Sequence, residues 1–305
     1  MVNPNYVKYK ALIIGYGSIG KKHYNILKKN NSISKILIFT SQKKIFNSTN
    51  DLNKIKKFNP DIIIISTTTD KHFKYLKFVN KIFKNKMILV EKPLFIKLEK
   101  INKINNKIFV GYNLRFHPII KFLKTLLIKQ KLFSVEIYCG SYLPKWRNRP
   151  LRFTSSFSKK LSGGILHELS HEIDYILYLF GDIKKMFFIR KKNSFINIKT
   201  EDYAHILART KKNKIISVNL NYYSRIRKRF IIIETNKLSI YADLINGEVN
   251  FTKVDGKIEK KKFNFNINDT YKEQINSIIH KKFNNLCNYK FGLKTVKTIE
   301  SLIKR

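Results

Sequence analysis

The chain reads as an α/β protein. A doubly wound parallel sheet at the N-terminus is followed by an α+β domain with an open, mostly antiparallel sheet. Three observations predict this. Up to residue 112, short and uniformly apolar runs alternate with helix-like stretches, the pattern of strands covered on both faces. The first of those runs enters a glycine turn that leads straight into a helix. From Lys185 to Phe263 the runs change character: apolar and polar residues alternate and the connections are turn-like, as at Asn246-Gly247.

The first strand ends at Ala11-Leu-Ile-Ile14 and runs into Gly15-Tyr-Gly17-Ser-Ile-Gly20, which fits G-x-G-x-x-G. Gly15 permits the tight turn. Gly17 lets the backbone approach a pyrophosphate, and Gly20 lets the helix pack close to the strand. Ser18 and Ile19 open that helix, whose N–H groups point at the phosphates on its way to about Lys29. This is the dinucleotide fingerprint of a Rossmann domain. Lys35–Phe39 is the second strand. Where an acid usually holds the ribose of NAD, the chain has Thr40, Ser41 and Gln42, then Lys43 and Lys44. Hydroxyls and ammonium groups suit a 2′-phosphate, so NADP is favoured and NAD is the alternative. Asn59–Ser66 is a turn and a buried strand. Thr67–Asp70 is a polar loop, with Asp70 placed to cap a helix starting near Lys71. His72 lies in its first turn, either against the cofactor's edge or on the surface. Met87–Val90 is a further strand, ending in Glu91-Lys92-Pro93. Lys92 thus stands beyond a strand C-terminus, where functional side chains of parallel sheets gather. Ile108–Val110 closes this half and leads into Gly111–Pro118.

The second half opens with a helix over Ile119–Lys129 and an alternating strand over Phe133–Cys139. A long polar and aromatic loop, Gly140–Lys160, holds the only Trp of the chain, Trp146, beside Arg147 and Arg149. Loops of this length inside compact domains usually carry function. Trp with Arg suits stacking on a sugar and gripping a carboxylate or phosphate. From Leu161 the sequence starts one helix running to about Phe180 and stopped by Gly181. Strand-like runs follow at Met186–Arg190, Tyr203–Thr210, Lys214–Leu220, Phe230–Glu234 and Leu238–Ala242. Helical stretches at Asp269–Phe283 and Leu293–Lys304 end the chain. The expected division is 1–112 and 113–305, with 269–305 able to pack back on the first domain.

Composition narrows the function classes. The chain has 305 residues, 43% of them hydrophobic, enough for two domains with sizeable cores. No apolar run reaches the length of a membrane span, and Met1–Lys10 lacks an apolar signal core. With two cysteines, Cys139 and Cys287, no disulfide framework or metal spacing arises, and a cytoplasmic location is expected. Lys and Arg number 62 against 20 Asp and Glu, a net charge of +42. The lysines are spread along the whole chain and no nucleic-acid-binding motif appears. The charge reads as compositional, with nonspecific adhesion to polyanions as its consequence and no specific nucleic-acid partner. The same field helps attract an anionic cofactor or a nucleotide-linked substrate.

Taken together, Gly15–Gly20, Ser66–His72, Glu91-Lys92-Pro93, Gly111–Pro118 and Gly163–Asp174 resemble the glucose–fructose oxidoreductase, inositol dehydrogenase and MocA (Gfo/Idh/MocA) family over essentially the whole chain. Thr68 stands where the family usually has proline. The resemblance implies an NAD(P)-dependent oxidoreductase that moves a hydride between the nicotinamide and a hydroxyl or keto carbon of a sugar or nucleotide sugar. It implies cofactor contacts at Thr67, His72, Glu91 and Lys92 besides the glycine turn, Thr40 and Ser41. Substrate contacts fall at Asn113, Arg115, His117, Trp146, Arg147 and His167. The catalytic group is Lys92, His171 and Glu168, with no metal. His171 and Asp174 match the family pattern. The family's Asp four before the histidine is His167 here, with Glu168 adjacent and able to reach His171 from three residues before. The Trp146–Arg149 loop is similar to that of members associated with surface-polysaccharide or sialic-acid-like sugar synthesis. A homo-oligomer through the C-terminal sheet is also implied.

Two other readings stand beside this one. His167-Glu-Leu-Ser-His171 is literally H-E-x-x-H, the pattern that puts two imidazoles on zinc, with Glu201 as a loose third ligand. A non-catalytic NADP-binding sensor on the same fold is the third.

Overall fold

The computed structural model describes residues 8–146, 150–158 and 163–303. It falls into two compact units. One runs to Asn113 and takes in Tyr271–Lys297; the other comprises Leu114–Thr270 and the chain from Thr298.

The first unit begins with β1 (Tyr9–Ile14), α1 (Ser18–Lys28), β2 (Ile33–Phe39) and β3 (Ser48–Thr49). Next come α2 (Leu52–Phe58), β4 (Ile62–Ile65), α3 (His72–Ile82), β5 (Met87–Val90) and β6 (Lys107–Val110). These strands lie in the order β6-β5-β4-β1-β2-β3, all parallel. Ala11–Ile14, Ile62–Ile65 and Ile88–Val90 are wholly buried, which is why these segments carry no polar residue. Ile14 pairs with Phe39 and Ile65, Ile65 with Val90, and Val90 with Val110. The strand ends therefore align, and Gly15, Thr40, Ser66, Glu91 and Gly111 leave the sheet along one edge. Strand order reverses between β1 and β4 at that edge, the place where α/β sheets take ligands. The helix α2 was absent from the sequence reading: it is short and lysine-rich, it buries only Ile55, and Asp51 caps it. Asp70 does not cap α3 as expected. A 3-10 turn at Thr69–Lys71 precedes that helix, which has no side-chain cap.

The second unit contains α4 (Pro118–Leu126), β7 (Leu132–Gly140), α5 (Ile165–Glu168), α6 (Ser170–Phe180), β8 (Ile183–Lys191) and β9 (Tyr203–Thr210). β10 (Ile215–Asn221), β11 (Lys228–Thr235), β12 (Leu238–Asp243), β13 (Glu248–Lys253) and β14 (Ile258–Lys262) complete its sheet. Strand order is β14-β13-β12-β11-β7-β10-β9-β8. Only the β7–β10 pair is parallel, and the other neighbours are antiparallel. One face is apolar and buried, with Val135, Ile137, Ile216, Val218, Leu220, Ile231 and Ile233. The other exposes Phe187, Ile189, Leu207, Ile215 and Tyr241. β14 has every residue exposed, so no apolar alternation marked it in the sequence. The expected long helix at 161–180 is instead two segments. Leu169, at φ −96° and ψ 32°, breaks the path between α5 and α6.

The chain then supplies α7 (Ile267–Ile279), β15 (Cys287–Asn288) and α8 (Tyr289–Ile303). β15 pairs antiparallel with β6 and closes that edge of the first sheet. Asn276 of α7 hydrogen-bonds Asn30 just after α1, and Tyr289 of α8 accepts from the Ile101 N–H. Gly292 is needed where α8 meets β6, because a Cβ there would stand 2.5 Å from Val110.

Candidate active site

The glycine turn has the geometry its sequence implies. Gly15 adopts φ +95°, and a Cβ there would lie 2.8 Å from the Thr67 nitrogen. A Cβ on Gly20 would stand 2.2 Å from the Gly15 carbonyl oxygen, so the helix could not begin so close to the strand. A Cβ on Gly17 would meet nothing within 4 Å; that backbone faces open space. Gly17 is also the N-cap of α1 and offers no side-chain cap. The N-terminus of α1, at Ser18, Ile19 and Gly20, is thus suited to an anion such as a pyrophosphate. At the end of β2, Gln42 donates to the Tyr16 carbonyl at 3.0 Å, and its N–H reaches the Thr40 hydroxyl at 3.2 Å. Thr40 and Ser41 therefore sit in a loop tied to the glycine turn, with Lys43 and Lys44 exposed beyond them. These residues fit a dinucleotide.

Beyond β5, Glu91 is nearly buried and Lys92 half-buried. One Glu91 oxygen lies 2.7 Å from His23 Nε2 in α1; the other accepts the Lys92 N–H at 3.2 Å. Gly111 makes room for that carboxylate, since a Cβ would come within 2.9 Å of it. His72 is neither a surface histidine nor exposed to a cofactor: it is 1% exposed. Its Nδ1 lies 3.0 Å from the Pro93 carbonyl oxygen and its Nε2 3.1 Å from that of Thr67. Burial lowers its pKa, partly offset by the carbonyls of Pro93 and Thr67 and by the Glu91 charge. Sequence reading missed His23, whose partner lies 68 positions away.

In the second unit, two residues of the expected substrate set have other work. Both nitrogens of His117 are engaged: Nδ1 accepts the Ile119 N–H at the start of α4, and Nε2 donates to the Leu244 carbonyl at 3.1 Å. Burial brings its pKa down to about 4, the Leu244 carbonyl opposing and the Arg229 charge assisting. Arg115 is buried and forms a bidentate pair with Asp174, at 2.8 and 2.7 Å. Its guanidinium stacks 4.4 Å from the Tyr178 ring centre. Asn113 and His167 are both buried. Trp146 donates to Ser141 at 2.9 Å and stands edge-on to Tyr222 at 5.3 Å. Arg147, expected beside it, lies outside the described residues. Glu168 accepts from the Ser155 hydroxyl at 2.5 Å.

His171, half-buried, occupies the first turn of α6. That helix is anchored by two carboxylates: Asp174 to Arg115, and Glu172 to Arg229 of β11 at 2.8 Å. Glu172 is fully buried, and Cys139 of β7 adjoins this pair, its thiol pushed up to about 12 by burial. The break at Leu169 puts His167 and His171 on different helical segments, so the single-face geometry assumed for zinc does not form. Glu201, the third ligand considered, is paired with Arg190 at 2.8 Å. Among the described residues no three His, Cys, Asp or Glu side chains are grouped to hold a metal ion. No helix of the described residues is long and apolar enough to cross a membrane.

A Rossmann sheet, a dinucleotide-shaped glycine turn and a lysine beyond β5 define the class of NAD(P)-dependent oxidoreductases. Residues 9–108 match the oxidoreductase family with an NAD-binding Rossmann fold, and residues 131–242 match the GFO/IDH/MocA C-terminal domain. The chain belongs to the Gfo/Idh/MocA family. No curated protein sequence matches it. Among solved structures it is similar to levoglucosan dehydrogenase in complex with NADH (TM-score 0.84, 14% identity, 97% of this chain and 96% of that one). It is similar to the UDP-N-acetylglucosamine 3-dehydrogenase GnnA from Acidithiobacillus ferrooxidans (0.81, 13%, 97% and 96%). A third is the WlbA dehydrogenase from Bordetella pertussis in complex with NADH and UDP-GlcNAcA (0.76, 14%, 97% and 96%). At these identities the likeness speaks for the fold.

Proposed function

We propose that the chain is an NADP-dependent dehydrogenase or reductase acting on a CH–OH group of a sugar, with a nucleotide sugar as its substrate class. Surface-polysaccharide or sialic-acid-like sugar synthesis is the setting that fits. The observation that carries the cofactor choice is the end of β2, where hydroxyls and an amide tied to the glycine turn replace the expected carboxylate. NAD remains the cofactor of two of the similar structures. Both those two and GnnA support the sugar reading.

The glycine turn with Ser18 and Ile19, together with Thr40, Ser41, Thr67, Glu91 and Lys92, would hold the dinucleotide. When bound, it supplies the hydride acceptor or donor at its nicotinamide ring. In the oxidising direction His171 accepts the hydroxyl proton, and Lys92 stabilises the developing alkoxide. Trp146 and Arg147 bind the sugar and its anionic group, while Glu168 holds the segment at Ser155 in place. The exposed apolar residues on the outer sheet face support a homo-oligomer formed through that face. The two buried thiols suit a cytoplasmic location.

Fluorescence titration at fixed salt tests the cofactor reading: NADPH is expected to bind more tightly than NADH, and Ser41→Asp to reverse the order. Equal or tighter NADH binding rejects it. A dehydrogenase screen with nucleotide sugars tests the substrate class. Lys92→Ala and His171→Ala are each expected to reduce turnover by about 10² and to be non-additive together, with chelators having no effect.

A further inference from the structure

We propose that two buried histidines, His23 and His72, are positioning residues that clamp the turn carrying Lys92 from the two faces of the parallel sheet. The inference rests on the reading of Lys92 as a catalytic group. α1 lies in the crossover that steps from β1 to β2, whereas α3 lies in the one that steps the other way, from β4 to β5. Right-handed crossovers in opposite directions put the two helices on opposite faces of the sheet.

From α1, His23 reaches Glu91 at 2.7 Å, and Glu91 in turn accepts the Lys92 N–H. The His23 ring is fully buried and stands edge-on to Tyr271 at 6.0 Å. Its Nδ1 has no hydrogen-bond partner among the described residues. The Glu91 contact is therefore what its ring offers, with Nε2–H donating to the carboxylate. Lys22, next to it, feels the Glu91 charge and lies over the Tyr271 ring at 4.4 Å. From α3, His72 holds the other side of the turn through the Pro93 carbonyl at 3.0 Å and the Leu94 carbonyl at 3.3 Å. The neutral ring has a single N–H, carried on Nδ1 for this contact, so Nε2 lies 3.1 Å from the Thr67 carbonyl oxygen without donating to it.

Packing alone does not call for this arrangement. A buried carboxylate and two buried imidazoles are costly to desolvate, and apolar residues of similar volume fill a core at least as well. The Glu91 carboxylate is the acceptor that the His23 ring and the Lys92 N–H share, one oxygen each. The residues on both sides of Lys92 are thus anchored by buried hydrogen bonds, and the one half-exposed side chain in the stretch 91–95 belongs to the lysine. Such support matters because a displacement of about 1 Å at a reacting group costs on the order of 10² in rate.

The test compares His23→Leu, His23→Gln and wild type. Competitive acetylation with acetic anhydride from pH 6 to pH 11, read on the Lys92 peptide by mass spectrometry, reports the reactivity of that amine without needing a substrate. His23→Leu should change the Lys92 labelling rate by about fivefold or more, and lower kcat by about 10–10². His23→Gln, whose amide N–H can still donate to Glu91, should restore both. If His23→Leu does not fold, Gly111→Ala carries the same prediction, because its Cβ displaces the Glu91 carboxylate without touching the histidine. Labelling unchanged in a folded His23→Leu or Gly111→Ala protein overturns the proposal. So does a His23→Gln variant as impaired as His23→Leu. Wild-type turnover in Lys92→Ala would remove the catalytic reading instead, while a shifted labelling rate would still establish the clamp.

Discussion

At the scale of single residues, His117 shows how a polar side chain inside a motif can serve the scaffold. Its acceptor nitrogen caps α4 and its donor is spent on Leu244. The pKa falls from 6.5 to about 4 on folding. The unfolded chain therefore takes up a proton near pH 6.5 that the folded one refuses until about pH 4. Stability contributed by the neutral ring is present above pH 6.5 and is lost as pH falls through that window, at about 1.4 kcal/mol per pH unit. Urea denaturation at pH 7 and pH 5 should show this. His117→Asn, which keeps an acceptor for the Ile119 N–H, should reduce the dependence, and the part that remains with the same sign belongs to the buried His72. The residues whose place in the fold was legible in the sequence were those at fixed spacing from a strand: Gly15, Gly17 and Gly20 in the turn after β1, and Lys92 just past β5. His23, His72 and Arg115 were not legible, because their roles depend on partners 68, 21 and 59 positions away.

At the scale of elements, buried strands were readable because a strand covered on both faces leaves no choice but apolar residues. Elements that bury little were not: α2 hides one side chain, and β14 hides none. The helix break at Leu169 escaped because His167 to Asp174 has a continuous helical pattern, and only the backbone reveals the interruption. The entry to α5 is constrained in a checkable way. Gly164 has φ +106°, and a Cβ there would lie 3.0 Å from a Glu201 oxygen. Gly164→Ala should cost about 1–3 kcal/mol, the usual scale of an enforced left-handed backbone. It should also disturb the Glu201–Arg190 pair. Thermal denaturation measures the first effect, and Arg190→Ala in the same background should then cost less than it does alone.

At the scale of the whole molecule, the excess of 62 basic over 20 acidic residues acts as a diffuse field and not as a site. Association with duplex DNA or heparin should be measurable at low salt, weaken steeply as salt rises, and show no sequence preference. The same field should speed dinucleotide capture, so the association rate for NADPH should fall with ionic strength more than the dissociation rate changes. A salt-resistant, sequence-selective complex with nucleic acid would contradict the view that this charge is compositional.

The strand pair β6–β15 joins Val110 to Cys287, and this has a consequence for the order of events on the ribosome. About 180 residues must be synthesised after β6 before its partner strand exists. At translation rates this is an interval on the order of 10–30 s. Throughout it, the nascent parallel sheet carries an unpaired outer edge, and α1 lacks the α7 packing that Tyr271 and Asn276 provide. The domain whose sequence comes first is in this sense finished last, and the interval in which it most needs protection from other chains is written into the distance between its two pieces.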